Sequence, residues 1–111
     1  METTIIQVNK WPHDVPPTEA KLRQLLQNEN LEPYLWSNGA NDVYTAHEHT
    51  YHKVIYVVSG TITFGFPIDG DPTTLYAGDR LELPAHIQHN AVVGIDGVVC
   101  LEAHRGMKDE G

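Results

Sequence analysis

The chain has 111 residues, with 7 Lys and Arg against 15 Asp and Glu, and a formal net charge of −8. That length gives one domain with a modest core, and an acidic balance without basic clusters excludes nucleic acid and anionic membrane as partners. A single cysteine, Cys100, excludes an intrachain disulfide and fits a reducing cytoplasm, while no signal-peptide pattern opens the chain and no apolar run reaches the length of a membrane span.

Residues 3–8 alternate weakly and predict a short strand. Pro12, Pro16 and Pro17 make the next stretch an irregular connector. Residues 18–29 begin on an N-cap threonine, Thr18, and place Leu22, Leu25 and Leu26 on one face, which predicts a short amphipathic helix laid on the outside of a sheet as a structural lid. Residues 31–36 read as a strand and 37–42 as a turn rich in residues that accept positive φ. A long β-branched stretch follows over 43–58. Residues 61–66 alternate with Ile62, Phe64 and Phe66 on one face, and are expected to pair with the preceding strand as a hairpin through Ser59-Gly60. Short strands over 73–76, 80–83, 91–93 and 98–103 complete the series. Many short strands, Gly and Pro turns and one helix predict an all-β barrel or jelly roll. The polar tail, 107–111, is expected to fray.

Seven histidines are many for this length. Three fall in the run His47-Glu48-His49-Thr50-Tyr51-His52-Lys53. Side chains of a strand point alternately to its two faces, so His47 and His49 share a face that Tyr51 and Lys53 continue, while His52 has the other parity. A His-x-His pair aims two nitrogens at one point, and imidazole suits zinc, copper, iron and nickel. A candidate third ligand, His89, lies in a second segment punctuated by Gly78 and Pro84.

These two segments resemble the two sequence motifs of the cupin superfamily: His47, His49 and Gly60 match the first, and Gly78, Pro84 and His89 the second, at the family's spacings. The resemblance covers about half the chain. It implies a small single-domain cupin, an all-β double-stranded β-helix or jelly-roll barrel over 36–106, with an N-terminal arm and short helix over 1–35 and the tail beyond. It also implies metal ligation by His47, His49 and His89, the metal being a divalent transition ion (iron, nickel, zinc or manganese). In cupin dimers an N-terminal strand often pairs with the partner's sheet, and a homodimer is expected here. The apolar outward residues Val54, Tyr56 and Val58 need a cover as well, from a second sheet, the helix or another subunit.

The sequence departs from the family at several positions. Lys53 stands where the motif has its glutamate ligand, and His52, one position early, replaces that glutamate only if a bulge re-aims it. Asn41 and His86 replace motif glycines, and Val93 replaces the closing asparagine. Lys53 is thus a candidate catalytic base or anion-binding residue. Its structural alternative is a salt bridge to Glu48, Glu82 or Glu102. Tyr51 and His86 are expected at the pocket rim, Cys100 as a small buried hydrophobe, and His13 and His104 carry no signal beyond their identity.

Three neutral imidazoles leave a divalent ion with open positions, as catalytic sites do. The expected function is a metal-binding cupin acting as a small metal-dependent oxygenase on a bidentate anionic or enolisable molecule. A non-catalytic, sugar-like ligand-binding cupin is the alternative from another class, and a metal-dependent isomerase or lyase shares the same residues.

Overall fold

The computed structural model describes residues 5–106. In chain order they form β1 (Gln7–Asn9), α1 (Glu19–Gln27), β2 (Tyr34–Asn38), β3 (Val43–His47), β4 (His52–Phe66), β5 (Gly70–Leu75), β6 (Arg80–Leu83) and β7 (His89–Arg105). Thr3 and Thr4 of the expected first strand, and the tail from Met107, lie outside the described residues. The strands make one antiparallel sheet in the order β1-β6-β4-β7-β2, with β3 also on β7 and β5 on β4, wrapped as a jelly-roll barrel.

β4 and β7 pair from His52 opposite Arg105 to Gly65 opposite Asn90. Their register shifts between Val57 and Ser59 and between Gly60 and Ile62. Such bulges reverse the parity of a strand, so Ile55 and Val57 before the shift and Ile62, Phe64 and Phe66 after it enter the same core. Gly60 (φ +79°) and Gly97 (φ +76°) make the corner, and a Cβ on Gly60 would collide with the Gly97 carbonyl. The hairpin expected at Ser59-Gly60 is therefore replaced by a bend in a continuous strand, because β7 supplies the partner on both sides of it. For the same reason the strands expected over 91–93 and 98–103 are one.

The barrel core contains Ile55, Val57, Ile62, Leu81, Val98 and Cys100, the last with no exposed surface. A second cluster lies on the outside of β4 and β7. There Leu22 and Leu26, fully buried, with Leu25 beside them, pack on Val54, Tyr56, Leu101 and Ala103. The helix thus covers the outward face of β4, with Val58 at the cluster's edge. Thr18 caps it by accepting from the Lys21 N–H. β1 pairs with β6 of its own chain, Val8 opposite Leu81. Among the described residues no helix is long and apolar enough to cross a membrane.

Candidate metal centre

Three segments bring the predicted ligands together. His47 ends β3 directly opposite His89, the first residue of β7. His49 lies beyond the end of β3, in the connection to β4, so the strand expected to carry both histidines stops after the first. That connection is pinned from the second motif: the His86 N–H donates to the His49 carbonyl at 2.7 Å. His86 adopts φ +67° and Asn41 φ +64°, so both keep a left-handed backbone at positions where the motifs have glycine.

One ring nitrogen from each of His47, His49 and His89 lies within 4.8 Å of the other two. The rings are oriented from behind. His47 Nδ1 donates to the Thr45 carbonyl at 2.8 Å and His89 Nδ1 to the Ile87 carbonyl at 2.9 Å, which leaves Nε2 of each ring as the nitrogen open to an ion. His49 Nε2 is buried with no hydrogen-bond partner among the described residues. An orphaned imidazole nitrogen facing two others is costly unless something binds it, and an ion does so. Burial pushes His49 down to about 4, helped by the positive charge of Lys53 and by the neighbouring His89 and His47. Burial likewise holds His89 below its ordinary value, against the Ile87 carbonyl that favours its charged form. Both rings are neutral near pH 7, the state that ligates. The donor set therefore fits a divalent transition metal.

His47 and His89 line a cavity of about 410 Å³ together with Tyr51, Lys53, Tyr34, Trp36 and Glu102. Tyr51 stacks on His49 at 5.0 Å between ring centres and lies 4.1 Å from His104. Lys53 Nζ is 3.4 Å from Glu102 Oε2. Glu102, buried at 3 % exposure, accepts from Tyr34 OH at 2.7 Å, His104 Nε2 at 2.6 Å and Trp36 Nε1 at 3.0 Å. Burial alone would push this carboxyl up, but Lys53, His104 and Tyr34 outweigh it and hold it below the usual carboxylate range.

The remaining expected residues lie apart. His52 points to the outer face and meets Glu82 at 2.9 Å, within a charged network that links Glu82 to Arg80 and Arg80 to Glu29; no bulge turns it toward the three rings. His86 is exposed, 3.4 Å from Glu48, so its backbone and not its ring serves the centre. The Glu102 cluster is the feature that sequence reasoning missed. Its signal was the alternation of 34 with 36 and of 102 with 104, which sets each pair on one face of its strand; the pairing of Tyr34 opposite Glu102 makes that the same face of the sheet.

No curated protein matches the sequence. Among solved structures, that of the DMSP lyases RdDddP and RnDddQII is 26% identical over 69% of this chain and 39% of that one, with a TM-score of 0.63. The present chain thus spans about two fifths of that lyase chain. An RmlC-like cupin from Shewanella frigidimarina NCIMB 400 is 26% identical over 73% of this chain and 71% of that one, with a TM-score of 0.57. KdgF from Halomonas sp. has the same fold at 22% identity and a TM-score of 0.57, over 96% and 85% of the two chains. The Cupin domain model matches residues 37–100, across β3, the three histidines and both bends of the long strands, and the chain belongs to that family.

Proposed function

We propose that this cupin is a metal-dependent isomerase or lyase acting on a small anionic, enolisable molecule. The observation that carries the reading is the company the imidazoles keep: Tyr51, Lys53 and Glu102 line the same cavity as His47 and His89, and Tyr51 stacks on His49. A divalent ion held by His47, His49 and His89 would supply Lewis acidity toward a substrate oxygen. Lys53 faces the cavity as an ammonium balanced by Glu102 and orients an anionic substrate. Burial pushes the Tyr51 hydroxyl up, so Tyr51 stays protonated and serves as a proton donor to the bound molecule. The similarity to a DMSP lyase structure supports elimination or isomerisation in preference to oxidation. Lys53 at the glutamate position favours the non-catalytic ligand-binding alternative; the converging His47, His49 and His89 favour the metal-dependent one.

A second reading, a small metal-dependent oxygenase, is favoured by the all-histidine donor set, which suits redox-active iron as well as zinc. Solvent exchange separates the two. Metal-loaded protein in D2O is expected to introduce deuterium beside the carbonyl of enolisable 2-oxo acids without consuming oxygen, and oxygen uptake without exchange would overturn the first reading. Elemental analysis of wild type and His49→Ala tests the centre itself: near-stoichiometric metal in the first and none in the second.

The reading extends to a cytoplasmic homodimer. Val43 and Val92 pair across β3 and β7 yet are 68% and 44% exposed, and Leu35 on β2 is 46% exposed. Light scattering of wild type and Val43→Asp tests this association.

A further inference from the structure

We infer that Lys53 is the subsite for a second carboxylate of the substrate, so that the molecule bound here is a small dicarboxylate with an oxygen function beside one of its acid groups. This rests on the three-histidine reading, which places the oxygen function and its neighbouring carboxylate at the metal. The Lys53 side chain is 15% exposed and lines the cavity, and among the described residues its ammonium has no hydrogen-bond acceptor. Its one ion partner, Glu102, stands at 3.4 Å and takes shorter bonds from three other donors. The other nearby carboxylates are engaged elsewhere, Glu82 by Arg80 and His52 and Glu48 by His86.

An ammonium carries three N–H donors, and those of Lys53 open onto the cavity and are not sealed from it, so a ligand there can take them. Glu102 keeps the charge in place and leaves the donors to a ligand. The same carboxylate limits the ligand's charge. A singly charged carboxylate meets one ammonium and one flanking anion, whereas a doubly charged phosphate would be repelled more strongly by Glu102. Because the family's glutamate is replaced by a cation, the cavity has exchanged a negative position for a positive one, and its preferred substrates gain an acid group accordingly.

Calorimetric titration of lactate, malate and 3-phosphoglycerate into the zinc-loaded full chain tests this. The three share a 2-hydroxy acid head and differ in the group at the other end. Wild type is expected to bind malate at least about tenfold more tightly than lactate, as one added charge-assisted hydrogen bond gives. Lys53→Met should bring that ratio to about one and Lys53→Arg should keep it, with zinc content equal in all three proteins. Should Lys53→Met not fold, Lys53→Gln carries the same test. Equal binding of lactate and malate by zinc-loaded wild type, a ratio that survives loss of the charge, or tighter binding of the phosphate each overturns the carboxylate subsite alone. Absence of zinc from wild type instead overturns the metal reading on which it rests.

Discussion

Lys53 depends on Glu102 more than Glu102 depends on Lys53. The carboxylate has Tyr34, Trp36 and His104 as hydrogen-bond donors at 2.6 to 3.0 Å, while among the described residues the ammonium has only the carboxylate, at 3.4 Å. Removing either partner should therefore have unequal effects. Glu102→Gln leaves a largely buried cation uncompensated and sets an amide against three donors, and is expected to cost about 3 kcal/mol or more. Lys53→Met leaves a carboxylate that is still hydrogen-bonded and should cost clearly less. Urea unfolding of both variants, fitted with a common slope, checks the order.

The site's boundary is equally testable. His49→Ala and His89→Ala remove converging nitrogens and should each lower bound metal from near one equivalent to little. His52→Ala, whose ring meets Glu82 on the opposite face, should retain the wild-type content. Loss of metal in His52→Ala would show that the connection before β4 can re-aim it.

Asp79 gives the clearest pH dependence. Its carboxylate, 4% exposed, accepts from the Trp11 and Tyr76 N–H groups at 2.9 Å and from Lys10 at 3.0 Å. Burial would push the carboxyl up, but these bonds outweigh it and hold it below its ordinary value. A depressed folded-state value means stability that is present above the unfolded-state pKa and lost as pH falls through the folded one. Asp79→Asn should cost about 1–3 kcal/mol at pH 7. The gap should narrow as pH falls below the ordinary carboxylate value, where the unfolded chain takes up the proton first and the folded Asp79 only at lower pH. Denaturant midpoints measured at pH 7 and pH 3 check this.

The helix tests structure against function. Leu26 is fully buried in the outer cluster, so Leu26→Ala should cost about 2–5 kcal/mol. It should leave metal content per folded molecule unchanged, because α1 packs on the side of β4 and β7 away from the cavity. Gly60→Ala should also destabilise, by about 2 kcal/mol or more, since it combines a left-handed φ with a collision against Gly97. Thermal unfolding with metal analysis of the refolded protein checks both.

The three converging histidines were legible because strand spacing and motif spacing are local, and two of the three lie two residues apart. Leu22, Leu25 and Leu26 were legible for the same reason at helical period. Ser59-Gly60 misled because a tight turn and a bulged corner ask for the same residues. What separates them is the partner strand, some forty residues away at Gly97. Lys53 could be given three candidate partners and no choice among them, since Glu102 reaches it only through the pairing of β4 with β7. The Glu102 cluster spans strands 66 to 70 positions apart, and no local pattern joins residues at that distance.

The unbroken course of β4 and β7 also bears on motion. Because β4 and β7 run through the corner as continuous strands, paired on both sides of it, the two ends of the barrel share both strands. Opening them against each other would break pairs on both sides of the corner, so exchange of a bound molecule falls to the short connection that carries His49 and Tyr51. That connection is tied to the opposite segment by the His86 to His49 backbone bond and by the exposed Glu48 to His86 contact. Amide exchange should accordingly be fast along the connection and slow along the paired parts of both long strands, with a rate at His86 that reports how often the entrance loosens.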